Sequence, residues 1–374
     1  MSTPPPSDRT VRAGDPAHAP PPEPVGLGPA PDGPRAITLG NILWPLGLSV
    51  AVLVVISYYT FDLGTFRELA RQLNPWLLLA AVGTVVTRVY FGALRLHVLS
   101  HGALTVWGGV RSQLAWDFFG AVTPSSVGGG PFIVLFLSKD QGVPLGQSTS
   151  LILFATLLEM LWHAMLVPVL LWLSVYVDIF PDAMGTVGFG AMLTAFVLYL
   201  GYVAVLAYGT LVNPHVLAVV VGTVFQVKWL RRFRLRALRV MVEVKERAAI
   251  LRAESALFYV KGFCLSAVPW VSRYLLPVFI IWSVYPALDK GLAFLRGAAL
   301  QLGALFLPTP GGAGAIEGLY VLFFGPPLQP QPLVAPTLLV WRFLLYYLFV
   351  FVGVFIAIQF VQRSARSGAE PAAA

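Results

Sequence analysis

Residues 305–319 read LFLPTPGGAGAIEGL and crowd two prolines, three glycines and a glutamate into ten positions. Long apolar runs lie on both sides of them. Proline removes a backbone donor and glycine weakens a helix, so no regular spanning helix continues through this stretch. A second break, TPSSVGGGP at residues 123–131, interrupts another apolar run in the same manner. On either side of each break about ten apolar residues remain, half of the roughly 20 that a crossing helix needs. Each interrupted run is therefore either one broken span or a hairpin that enters and leaves a bilayer on the same side.

Composition makes a bilayer the natural solvent. Of 374 residues, 57% are hydrophobic and 11% are charged, with a mean hydropathy of +0.77. Soluble domains carry about 25% charged residues. Apolar segments run over about 42–59, 75–98, 112–137, 147–176, 187–211, 255–285, 298–325 and 333–361. The expected class is an all-α polytopic membrane protein. Residues 1–38 precede the first segment, and eleven prolines fall within the first 35. They lack the apolar core of a signal peptide and read as a disordered cytosolic tail. Cys264 is the only cysteine, so no internal disulfide is expected. The sequence has no GxSxG, HExxH, P-loop or helix-opening GxGxxG, and no metal-ligand spacing. No catalytic set, metal or cofactor is expected.

Charge placement orients the chain. Lys228, Arg231, Arg232, Arg234, Arg236, Arg239, Lys245, Arg247 and Arg252 face only Glu243 and Glu246, so this run carries +7 of the net +8. Regularly placed Leu230, Phe233, Leu238, Met241 and Val242 give residues 214–254 the character of an amphipathic helix on an anionic leaflet. The predicted partner of this charge is a membrane surface and not nucleic acid, because spanning segments lie beside it. With this run and the tail 363–374 in the cytosol, the acidic turn YVDIFPD at 176–182 falls outside. Parity then holds if 112–137 is a hairpin open to the cytosol and 298–325 one open to the exterior. The predicted topology has about six full spans plus two opposed re-entrant hairpins. The halves are 39–213 and 255–362, in a cell membrane with both termini cytosolic.

The polar positions also repeat. Arg88 precedes Pro124 by 36 residues and Arg273 precedes Pro308 by 35; Glu159 follows Gly129 by 30 and Arg342 follows Gly312 by 30. Each unit reads as a span with arginine, a broken hairpin, then a span with an ionisable residue. Opposite starting sides make this an inverted repeat, an architecture common among transporters.

Breaks at membrane depth survive only where they are buried in protein or line a wet cavity. The hairpin-break residues Pro124, Gly128, Gly129, Pro308, Pro310, Gly311 and Gly312 would expose backbone amides at half-helix starts, which favour an anion. Arg88, Arg273 and Arg342 are the candidate substrate-binding cations, with Glu159 and Glu317 as counter-ions or proton carriers. Two readings fit this set: a ligand cavity, or ion pairs that hold helix register. Arg95 sits near a span end and is expected to snorkel to headgroups, and Glu159 with His163, one turn apart, is expected to form a hydrogen-bonded pair. Asp117 caps or pairs at the first hairpin.

TPSSVGGGPFIVLFLSKDQGVPLGQS and LPTPGGAGAIEGLYVLFF, with TRVYFGALRLHVL upstream and WRFLLYYLFVFVGV at the end, resemble the flippase-like transmembrane domain of lysylphosphatidylglycerol synthases. The resemblance covers about residues 40–362. Its second motif, Pro308 to Gly312 followed by Glu317, is the more specific. Where the family commonly places Glu after the first glycine pair and Arg three residues on, this chain has Gly130 and Ile133. The resemblance implies translocation of a polar lipid, such as an aminoacylated phospholipid or a polyprenyl-linked carrier, between leaflets. The synthases add a large soluble domain, for which a chain ending at Ala374 has no room, so no synthase activity is expected. The alternatives are a proton- or ion-coupled transporter of a small anion and a non-transporting membrane subunit.

Overall fold

The computed structural model describes residues 73–123, 129–213, 254–307, 309–328 and 333–367, with a few single positions besides. The expected span at 42–59, the N-terminal tail, residues 368–374 of the C-terminal tail and most of the basic 214–254 segment lie outside the described residues, while residues 363–367 continue the last helix. Those described are helical and joined by turns, with no strand among them. In chain order the helices are α1 (Pro75–Leu99), α2 (Val106–Val122), α3 (Gly130–Asp140), α4 (Leu145–Leu173), α5 (Gly185–Ala207), α6 (Ala256–Val284), α7 (Lys290–Ala304), α8 (Ala315–Phe324), α9 (Val334–Arg342) and α10 (Leu348–Ser367). A π-helical turn, Phe343–Tyr347, joins α9 to α10.

Local chemistry sets the helix starts. The Asn74 side chain accepts from the Trp76 amide at 3.1 Å ahead of Pro75. Thr105 and Asp289 accept from Gly108 and Leu292 at 3.0 Å. Ser255 accepts from Phe258 at 3.3 Å. These are ordinary N-caps, each closing one orphan donor. Five helical stretches are long and apolar enough to cross a bilayer: Pro75–Leu99, Leu145–Leu173, Gly188–Thr210, Ala256–Val284 and Val334–Phe360. Pro168 in α4 and Pro269 and Pro277 in α6 interrupt these spans. Neighbouring helices make such interruptions tolerable in a membrane.

Helices α2 and α3 have 17 and 11 residues, α7 and α8 have 15 and 10. At 1.5 Å per residue they reach about 25, 16, 22 and 15 Å, short of the roughly 30 Å hydrocarbon core. Each pair folds back on itself. Arg111, in the second turn of α2, bonds Asp140 at the end of α3 (Nη2 to Oδ2, 3.3 Å). Arg296, in the second turn of α7, donates from Nη1 to the carbonyl of Phe323 at the end of α8 (3.0 Å). The two hairpins therefore close their open ends with one arginine each.

Polar contacts also give the polarity of the bundle. The Asn74 amide, at the start of α1, donates to the Ser283 carbonyl at the end of α6 (2.8 Å). At the opposite end His101 Nε2 lies 3.3 Å from Glu254 Oε1, and the His101 and Phe258 rings stack at 5.1 Å. Helices α1 and α6 are thus antiparallel partners. The first hairpin opens at the Asp140 end, where Arg111 Nη1 also meets Gln359 Oε1 of α10 at 3.4 Å. The second opens at the Asp178 end, where Arg296 Nη2 donates to the Asp178 carbonyl at 2.8 Å. The tips meet between the ends: a Cβ on Gly311 would lie 3.0 Å from the Ala121 carbonyl and against the Tyr346 ring. Gly311, Gly312 and Gly314 have φ of 57°, 69° and 85°. Left-handed backbone favours glycine, and this is the local reason for the PGGAG sequence.

Close backbone approach binds the first hairpin to α1. A Cβ on Gly109 of α2 would stand 2.6 Å from the Ala93 carbonyl oxygen of α1. Gly109→Ala is expected to cost about 1–3 kcal/mol, because backbone must separate to accommodate it. Gly83→Ala, where the added methyl meets nothing within 4 Å, should not destabilise and should gain up to about 1 kcal/mol of helix propensity. The midpoint of SDS-induced unfolding in mixed micelles measures both.

Candidate functional site

Arg88 lies midway along α1 and Arg273 midway along α6, so the antiparallel pairing of these helices brings the two arginines to one level. Asp117 of α2 lies between them. Arg88 Nη2 and Arg273 Nη2 both donate to Asp117 Oδ1, the second at 3.3 Å. Gln113, one turn earlier on α2, donates to Oδ2 at 3.3 Å. Arg88 also rests over the Phe349 ring at 4.3 Å and Arg273 over Trp270 at 4.3 Å. Two guanidiniums thus share one carboxylate. Arg88 Nε and Nη1 and Arg273 Nε are buried nitrogens with no hydrogen-bond partner among the described residues. Arg88 is buried, whereas the Arg273 side chain keeps 23% of its surface exposed.

The other charges close on themselves. Glu317 is 0% and Arg342 1% exposed, with Arg342 Nε 2.8 Å from Glu317 Oε1. The second carboxylate oxygen accepts the Gly314 amide at 2.8 Å, so Glu317 caps its own helix. The amides at the start of α8 have thus acquired an anion from within the chain. Arg342 Nη1 reaches the Gly311 carbonyl at 3.4 Å, and its guanidinium lies over Tyr346 at 4.4 Å. This group anchors the second hairpin tip to α9 and the π turn.

Arg95 does not reach the bundle end as expected from its position. It is 1% exposed and bonds Glu159 of α4, with Trp116 of α2 under its guanidinium at 5.3 Å. The first hairpin covers this part of α1 and blocks the route to headgroups. Glu159 consequently meets Arg95 and not Arg88, Arg273 or His163. His163 instead has Nδ1 3.4 Å from the Tyr199 hydroxyl and packs edge-on to Trp270 at 4.2 Å. Of the predicted break residues, Pro124, Gly128 and Pro308 lie outside the described residues. A Cβ on Gly129 would stand 2.9 Å from the Gly120 nitrogen, which packs the two legs of the first hairpin closely. Pro310 and Gly312 form the tight turn around Gly311.

The acid that organises the central site, Asp117, carried no assigned partner in the sequence. With Arg95 expected at a span end, the mid-span arginines 88, 273 and 342 match the acids 117, 159 and 317 in number, so nothing in the sequence called for a shared acid. Among the described residues no group of three or more His, Cys, Asp or Glu side chains is arranged to hold a metal ion.

The fold is that of a multi-pass α-helical membrane protein with two opposed helical hairpins and paired charges between them. The chain belongs to the family described as lysylphosphatidylglycerol synthase TM region, which matches residues 42–353. It is also similar to a UPF0104 membrane protein of Archaeoglobus fulgidus, at 24% identity over 313 residues, 82% of this chain and 93% of that protein.

Proposed function

We propose that the protein translocates a polar lipid between leaflets, holding a phosphate-bearing headgroup at Arg88 and Arg273 while the hydrocarbon chains stay in apolar surroundings. The observation that carries this reading is the shared carboxylate: two guanidiniums on Asp117 leave a surplus positive charge and unsatisfied N–H groups. Guanidinium holds phosphate oxygens with directed, charge-assisted bonds. A buried surplus charge is costly in a bilayer, and an anionic headgroup would neutralise it. The family's namesake synthases make a phospholipid, which agrees with this chemistry.

In this reading the two hairpins re-enter the bilayer from opposite sides, and the headgroup passes where their tips meet. The Asp140 end is cytosolic, because the basic run leads into α6 there and Arg111 and Lys139 lie at that end. Asp178, Asp182 and Asp289 offset Lys290 and Arg296 at the outer end.

The test is reconstitution in phosphatidylcholine vesicles with fluorescent phosphatidylglycerol, read by chemical quenching of the outer leaflet. Arg273→Gln is expected to slow translocation about ten- to a hundredfold, the loss of one charged hydrogen bond of about 1.5–3 kcal/mol. Translocation by a folded Arg273→Gln variant at the wild-type rate overturns the reading. Rapid efflux of trapped inorganic phosphate without lipid movement would instead make the protein a small-anion transporter.

A further inference from the structure

We propose that a groove between α4, α5 and α7 holds one hydrocarbon chain of the lipid whose headgroup sits at Arg273; this deepens the translocation reading above and rests on it. The groove is a shallow cleft, partly open to the surroundings, and it exposes no polar surface. Leu170, Ala299 and Leu302 form a buried floor, while Leu193 and Phe306 at its mouth are about two-fifths exposed. A groove of this kind on a spanning bundle opens toward lipid tails and not toward water.

What selects the occupant is the inner end. Tyr199 lines the groove, yet its hydroxyl turns away to His163 Nδ1 at 3.4 Å. His163 packs edge-on to Trp270, and Trp270 carries the Arg273 guanidinium at 4.3 Å. Apolar groove, aromatic step and surplus cation therefore follow one another along a connected set of contacts. That order matches a lipid: chain, interfacial region, charged headgroup. A small soluble anion would use the cation and have no use for the groove. A sterol-like or purely apolar molecule would use the groove and have no use for the cation. Tyr199 and Trp270, each apolar with one polar atom, suit the boundary between the two.

The test uses the full chain in vesicles of phosphatidylcholine and phosphatidylglycerol. A trace of phosphatidylglycerol carries a photoreactive diazirine near its chain terminus, and labelled positions are mapped by mass spectrometry. Bulk lipid labels exposed Phe351 and Phe355 on α10 in any case. Labelling of the floor residues Leu170 and Leu302, which are shielded from bulk lipid, is the expected result. Ala299→Phe should reduce floor labelling about tenfold with Phe355 labelling unchanged, since losing burial of two methylene groups is worth about that factor. Leu193→Trp, at the exposed mouth where folding is undemanding, should give the same change. Floor labelling that is absent in the wild type, or unaffected by both variants, overturns the proposal. If Arg273→Gln slows translocation while the floor is unlabelled, the groove inference falls and the translocation reading stands. If the floor is labelled and displaced as expected but no lipid crosses, the groove stands as a lipid-chain site and the translocation reading falls.

Discussion

Arg342→Leu is expected to destabilise the protein by about 3–5 kcal/mol, the range found when one member of a buried ion pair is removed. Glu317 is left with no route to solvent, since it is 0% exposed. It keeps the Gly314 amide at 2.8 Å, a bond to one carboxylate oxygen that does not neutralise its charge. Arg342 also gives up its bond to the Gly311 carbonyl and its stacking on Tyr346. Three left-handed glycines in four residues then lack the group that over-determines their conformation. Hydrogen exchange should accelerate across residues 309–320 ahead of the rest of the bundle. The double variant Glu317→Leu with Arg342→Leu separates charge from packing. It should lose clearly less than the two single losses added, because no uncompensated charge remains. A single-variant loss below about 1 kcal/mol would sink the anchoring role, as that is the range of exposed pairs.

Asp117→Asn has the second large effect, and it acts on stability and binding in opposite directions. The substitution preserves shape but leaves Arg88 and Arg273 facing each other without a carboxylate between them. Arg88 is buried and already has two unpartnered nitrogens, so the stability loss should again fall at about 3–5 kcal/mol. Two uncompensated cations attract an anionic headgroup more strongly than one. The variant should therefore purify with more bound phosphatidylglycerol per chain than the wild type, and translocate it more slowly because release becomes harder. Arg273→Gln should do the reverse for retention. Equal phospholipid content in all three proteins would remove headgroup binding from this site. Asp117→Asn combined with Arg88→Gln restores a single positive charge and should recover most of the lost stability.

The helical class and the two breaks could be read from the chain because their causes are local. Apolar runs of spanning length and proline-glycine breaks act through a few neighbouring residues. The Arg88 and Arg273 equivalence was also legible, through matched spacing to the two breaks. Pairing of charges was legible only in part: Glu317 does meet Arg342, one of the cations it was expected to serve. Arg95 looked able to reach the bundle end, and only the cover of the first hairpin sends it to Glu159 instead. Glu159 and His163 share a helix face by spacing, yet α5 and α6 supply the contacts that His163 makes.

The sequence by itself determined a polytopic helical protein with two interrupted segments and ionisable residues in its apolar interior. It did so because hydropathy, helix breaking and net charge are properties of residues and short windows. The tertiary structure decided that Asp117 would bridge Arg88 and Arg273 and that Glu317 would cap its own helix while holding Arg342. Those outcomes depend on how helices far apart in the chain are rotated and set against one another. A side chain several bonds long on a spanning helix has acids within reach on more than one neighbour. Which one it meets is fixed by packing, where a glycine such as Gly109 lets backbones close in and a ring such as Trp116 or Trp270 occupies the space that remains.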